Sequence, residues 1–271
     1  MREMKTELFK RGLYNVILVD WTWGNGPDYL PSAENTKTVG KHAAYVIKNI
    51  MKQIGVGPEA FHLVGHSLGA HIAGFVGKSV KQLRRITALD PALSPFQNKS
   101  KLERLDVSDA NLVDVIHTNG GSEVGDVIGD INPLGHADFY PNGGTNQHSC
   151  RHYILKSYLA LDFLYATISL VPRICSHMHA VQYYKASINP NKCEMVGVLC
   201  PDYESFLSGE CDCHQHFKNC AVMGMNYEQY IKMNNESLTD TIDGFRKFYL
   251  NTTIAYPYCD YSNDFRNVST S

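Results

Sequence analysis

Gly65-His66-Ser67-Leu68-Gly69 lies between two runs of opposite character. The residues before it, Ala60-Phe61-His62-Leu63-Val64, form the short apolar run of a buried strand, and those after it, Ala70-His71-Ile72-Ala73-Gly74-Phe75-Val76-Gly77, are small and helix-compatible. The expected path is strand, sharp turn, helix. A serine at the tip of such a turn requires glycine two residues before and after, since a side chain at either place would collide with the tightly folded backbone. The turn lifts the hydroxyl of Ser67 above the sheet and makes it the candidate nucleophile. The amide of Leu68, at the helix start, points to where an oxyanion would form. A chance occurrence in a glycine-rich loop is the competing reading, and the flanking strand and helix weigh against it.

Upstream, residues 3–11 have the character of a helix end, and Asn15-Val16-Ile17-Leu18-Val19-Asp20-Trp21 is an apolar run read as a buried parallel strand. Loop chemistry follows from Trp23 to Asp28. Val39, Ala43, Val46, Ile47, Ile50, Met51 and Ile54 recur at three- and four-residue spacings, predicting a helix from about Ser32 that Gly55 and Gly57-Pro58 stop. Beyond Ser67 come two more strand-like runs, Arg85 to Asp90 and Leu112 to Thr118. Strands alternating with helices imply right-handed crossovers and a mostly parallel sheet with helices on both faces, the α/β-hydrolase plan. That plan has more strands before the nucleophile than this chain supplies. Residues 1–271 are therefore expected to form one partial catalytic domain, incomplete at the amino terminus.

With 271 residues and 44% hydrophobic content the chain can bury one sizeable core. A formal net charge of -2 gives no footprint for nucleic acid. Eight cysteines, seven of them between residues 150 and 220, accompany glycosylation sequons at Asn98, Asn235, Asn251 and Asn267. Together they point to a secreted, extracellular protein. The first residues, Met1-Arg2-Glu3-Met4-Lys5-Thr6-Glu7, lack the apolar core of a signal peptide, so either export is unconventional or, as expected here, the chain is truncated.

A serine nucleophile needs a histidine to take its proton and a carboxylate to orient that imidazole. Asp90 ends the strand after Ser67 and satisfies the chain order serine, acid, histidine, whereas Asp20 precedes the serine and fails it. His117, His136, His148, His152, His177 and His179 all follow the acid, and the residues alone do not separate them.

A resemblance does. GHSLGAHIAG around Ser67, Ile86-Thr87-Ala88-Leu89-Asp90-Pro91-Ala92, Val113-Asp114-Val115-Ile116-His117-Thr118, Gly135-His136-Ala137-Asp138-Phe139-Tyr140-Pro141-Asn142-Gly143-Gly144 and Cys175-Ser176-His177 occur in the order seen in the secreted lipases of the pancreatic lipase family, which this chain resembles from about residue 8 to about 230. The resemblance implies a triad of Ser67, Asp90 and His177, with His177 in a loop. It departs from the family at His179, where members often carry arginine, and it lacks the family's amino-terminal oxyanion loop and carboxy-terminal β-sandwich domain. It also implies a structural calcium at Arg104, Asp106 and Asp109, although Lys101 stands where members carry a liganding glutamate. No other cofactor is expected.

By the same resemblance Cys150 pairs with Cys175, Cys200 with Cys211 and Cys213 with Cys220, leaving Cys193 and Cys259 over. A zinc site at Cys211, Cys213, His214, His216 and Cys220 is the competing reading. The 150–175 segment is too apolar for a solvated loop and too interrupted by Arg151, Lys156, Asp162 and Arg173 for a membrane span. It reads as a lid that opens at a lipid interface, with an ordinary buried helix as the alternative. The expected function is hydrolysis of water-insoluble carboxylic esters, triacylglycerol before phospholipid, at an oil–water or membrane interface. Phospholipase A1 activity is the runner-up. A non-catalytic lipid-binding relative is the reading from another class.

Overall fold

The computed structural model describes residues 1–123, 125, 127–150, 165–190, 193–213, 219–233 and 245–259. Helix α1 (Arg2–Arg11) and the long α2 (Tyr29–Ile54) come first, and Gly55 ends α2 in a left-handed conformation at φ 70°, as its place after the apolar periodicity predicts. Strand β1 (His62–His66) runs into α3 (Leu68–Ser79) through Ser67. Then follow β2 (Arg85–Leu89), β3 (Leu112–Ile116), the two-residue strands β4 (Gly120–Gly121) and β5 (Gly129–Asp130), and β6 (Ala137–Pro141). Helix α4 (Tyr165–Ile188), β7 (Val196–Leu199), α5 (Tyr203–Leu207), β8 (Cys220–Val222), α6 (Tyr227–Met233) and β9 (Lys247–Leu250) complete the order.

The main sheet runs β1-β2-β3-β6-β9-β7-β8. It is parallel from β1 through β9, and β7 joins antiparallel to both β9 and β8. Alternation along the strands divides the core. Ile86, Ala88, Val113 and Val115 pack with Ala44 and Ile47 of α2 and Ala70, Ala73 and Val76 of α3. Leu89, Leu112 and Ile116 turn the other way and pack with Phe139, Phe248, Met4 of α1 and the Ala180 to Tyr184 stretch of α4. Asp114 lies between Leu112 and Ile116 on that second face, fully buried, and its carboxylate holds the Arg85 guanidinium through bonds of 2.7 and 2.8 Å.

The predicted strand at 15–21 is absent. The backbone there is not paired, and Ile17, Leu18 and Val19 are exposed. An apolar run becomes a strand only where a neighbour takes its amides and carbonyls, and β1 ends the sheet with no described segment on its outer side.

Cys150–Cys175, Cys200–Cys211 and Cys213–Cys220 are paired as the resemblance implied, and Cys193–Cys259 is the fourth bridge. Disulfide sulfurs are not thiolate ligands, so the zinc reading at residues 211–220 is lost. Residues 151–164 of the expected lid lie outside the described residues. Its carboxy-terminal part, from Tyr165, belongs to α4.

His71 of α3 is a structural histidine with a pH consequence. Its Nε2 is 2.9 Å from the Ala92 carbonyl, its Nδ1 accepts the Leu105 amide at 3.1 Å, and Phe96 stacks on the ring. Those partners fit one neutral tautomer, and burial pushes the pKa down to about 3. Unfolded histidine titrates near 6.5, so between about 3 and 6.5 the unfolded chain binds the extra proton and stability falls as pH drops. Urea titrations from pH 7 to pH 4 should show this slope. His71→Asn should flatten it by as much as about 1.4 kcal/mol per pH unit, and an unchanged slope would clear His71 of the effect.

Candidate active site

Ser67 adopts φ 56°, ψ −123° at the junction of β1 and α3. Its amide donates to the Leu89 carbonyl at 3.0 Å, which ties the turn to the end of β2. A Cβ on Gly65 would come within 2.1 Å of the Gly69 carbonyl oxygen, so residue 65 has to be glycine. The matching expectation for Gly69 does not hold, since a Cβ there would meet open space. Close packing in this turn falls on the backbone at 69, and only its partner must lack a side chain. Leu68 opens α3, and its amide is among the first-turn donors that have no acceptor within the helix.

Asp90 follows β2 with φ 43° and is completely buried. One carboxylate oxygen accepts the Thr118 amide at 2.7 Å and the Asn119 amide at 3.0 Å; the other receives His177 Nδ1 at 2.6 Å. The carboxylate also presses on β5, where a Cβ at Gly129 would lie 2.6 Å from it. Backbone amides after β3 therefore hold the acid, and glycine at 129 leaves room for it. The signal for these was the strand end itself, because a buried carboxylate at one strand's tip draws donors from the next.

His177 does not lie in a loop. It sits inside α4, two residues past Cys175. The neighbouring His66 ring packs 4.3 Å from the His177 ring, and its Nε2 is 3.1 Å from the His177 carbonyl. Burial first, and then the charge of His177, bring the His66 pKa down to about 4, so at neutral pH its Nε2–H donates to that carbonyl. His66, the residue just before Ser67, thus anchors the helix segment carrying His177. Among the described residues no hydrogen bond to the Ser67 hydroxyl is formed. Such contacts are commonly long in unliganded hydrolases and tighten around substrate.

Three of the other candidate histidines are occupied elsewhere. His136 Nδ1 accepts the Val113 amide at 2.9 Å. His117 is buried between the Asp130 carbonyl at 2.6 Å and Asp138 at 2.8 Å; burial disfavours its charge, but Asp138 outweighs that and raises its pKa. His179 Nδ1 meets the Cys175 carbonyl at 2.8 Å, and its Nε2 meets Ser149 Oγ at 2.6 Å. His179 thereby braces the Cys150–Cys175 bridge from within α4.

At the expected calcium loop, a different cation is present. Lys78 Nζ donates to the Arg104 carbonyl at 2.7 Å and to the two Asp109 carboxylate oxygens at 2.8 and 2.6 Å. Asp106 Oδ1 caps the turn instead, taking the Ser108 amide at 3.0 Å and hydroxyl at 2.7 Å. Calcium takes six to eight oxygen ligands, and an ammonium already holds the protein oxygens at 104 and 109. The residues present do not fit calcium.

Comparison with known proteins supplies the family. The profile described as "Lipase" matches residues 1–258. Pancreatic lipase-related protein 2 of Bos taurus is 39% identical over 208 residues, covering 76% of this chain and 44% of that protein. Pancreatic triacylglycerol lipase of Homo sapiens is 36% identical, covering 90% of this chain and 51% of that protein. Inactive pancreatic lipase-related protein 1 of Homo sapiens is 35% identical, covering 92% and 52%. The chain spans about half the length of these relatives.

Proposed function

The chain belongs to the lipase family, and on that premise we propose that it carries the catalytic machinery of a secreted hydrolase cleaving carboxylic esters of water-insoluble lipids, triacylglycerol foremost. The observation that carries this reading is the 2.6 Å contact of His177 with buried Asp90, on a segment anchored by the residue next to Ser67. The Asp90 carboxylate fixes the Nδ1–H tautomer of His177 and leaves Nε2 to take a proton. Ser67 Oγ attacks the ester carbonyl as His177 Nε2 accepts its proton. The tetrahedral oxyanion turns towards the Leu68 amide. Collapse expels the alcohol with the proton from His177 and leaves an acyl group on Ser67. Water, deprotonated by the same imidazole, attacks that ester and releases the fatty acid.

Secretion is supported by four disulfides, and no helix among the described residues is long and apolar enough to cross a membrane. An inactive relative makes a non-catalytic lipid-binding role the second reading, which the presence of Ser67, Asp90 and His177 opposes. Incubation with a fluorophosphonate followed by peptide mapping should place the adduct on Ser67. Triolein emulsion and phosphatidylcholine vesicles should both be assayed, triolein giving the faster release of fatty acid. Neither adduct nor release, in protein whose fold is intact, would favour the lipid-binding role.

A further inference from the structure

Lys78 closes the last turn of α3, the helix that begins beside Ser67. There α3 lies on the 104–109 loop almost backbone to backbone: a Cβ at Gly77 would come within 2.1 Å of the Asp109 carbonyl, and one at Gly74 within 2.9 Å of an Asp109 carboxylate oxygen. This close approach delivers the ammonium to the loop's centre. Three of its contacts are to oxygen, the Arg104 carbonyl and both arms of Asp109, all at 2.6–2.8 Å. The Asp109 side chain is 1% exposed, so its charge has to be compensated from within. Asp109 also accepts the Asp106 amide at 2.9 Å, which shapes the loop that leads into β3.

We propose that Lys78 is the built-in cation of the 104–109 loop, taking the place of a divalent ion, so that the loop holds its shape without calcium. A calcium ion centred on the same oxygens would sit against the ammonium, and Lys101 adds a second positive charge on the loop. The arrangement exchanges a dissociable ligand for a covalently attached one. Its target is the link between the end of α3 and the start of β3, the strand that leads into the Thr118 and Asn119 amides bound to Asp90.

The test is thermal unfolding of the purified chain in EGTA and in millimolar calcium, with magnesium as control. The wild-type melting temperature should be the same in all three. Lys78→Ser should lower it by roughly 5–10 °C in EGTA, because Asp109 is left buried and unpaired. It should also gain a calcium-dependent rise, since the freed oxygens again face one another. Should that variant not fold in EGTA, refolding in calcium but not magnesium is the expected result. Lys101→Glu alone should gain no calcium response while Lys78 remains. A calcium-dependent rise in the wild type or in Lys101→Glu, or none in Lys78→Ser, would overturn the proposal.

Discussion

Ser67→Gly should end hydrolysis and raise the melting temperature in the same protein. Ser67 holds φ 56°, ψ −123°, a backbone state that a side-chain-bearing residue adopts at a cost on the order of 1–3 kcal/mol. Removing Cβ releases that strain, while the extra freedom of glycine in the unfolded chain takes back about 0.5–1 kcal/mol. The net gain should move the midpoint up by a few degrees, at roughly 2–4 °C per kcal/mol for a chain of this size. Turnover should fall by about 10⁶-fold, as when a serine nucleophile is lost from a complete triad. Ser67→Ala separates the two effects, because it removes the hydroxyl but keeps Cβ and should lose turnover without the gain in stability. Retained hydrolysis in Ser67→Gly would remove Ser67 from the mechanism; an unchanged midpoint would show a relaxed turn.

The largest stability loss from a single side chain is expected at Asp114. Its carboxylate accepts Arg85 Nε and Nη2 at 2.7 and 2.8 Å and Thr87 Oγ1 at 2.9 Å, and the guanidinium goes on to the Gly224 and Met225 carbonyls at 2.7 and 3.0 Å. Arg85 is 1% exposed and Asp114 is 0% exposed. Asp114→Leu strands a buried guanidinium and should cost about 3–5 kcal/mol. Arg85→Met strands the carboxylate and frees the two carbonyls beyond β8, with a loss of the same order. The double variant Arg85→Met/Asp114→Leu should be much less damaged than the two losses combined, because neither charge remains to be compensated. Denaturant unfolding of all four proteins gives the coupling directly. Simple additivity would show that the pair acts as two independent contacts.

The parts legible in the sequence were those whose cause is local. The period of α2, its stop at Gly55 and the strand runs at 62–66, 85–89 and 112–116 all follow from side-chain spacing. The Ser67 turn follows from two glycines, although the structure needs one of them. The run at 15–21 misled because its residues describe preference for a partner, and pairing is settled elsewhere in the chain. Strands β7 and β9 have four residues each, too short for periodicity to register, yet together they extend the sheet. Asp90 was legible from chain order. His177 was not, because all six candidate histidines satisfied the order and only the resemblance chose among them; its contact with Asp90 spans 87 residues. Lys78 carried no signal at all, since a lysine at the end of a helix ordinarily faces water.

Strand β9 has a consequence for the order in which the chain can be assembled. It lies between β6 and β7, bonded to both, so among the described residues the strand pairing that joins the run β1-β2-β3-β6 to the pair β7-β8 passes through residues 247–250. During synthesis, which delivers the amino terminus first, the two pieces must wait with open edges until β9 emerges. Closing so distant a pairing is slow, and Phe248, buried against Phe139 and Tyr227, is what rewards it. The Cys193–Cys259 bridge spans the same late junction. A nascent chain that stalled before residue 247 would therefore present two unfinished half-sheets and a thiol at 193 awaiting its partner.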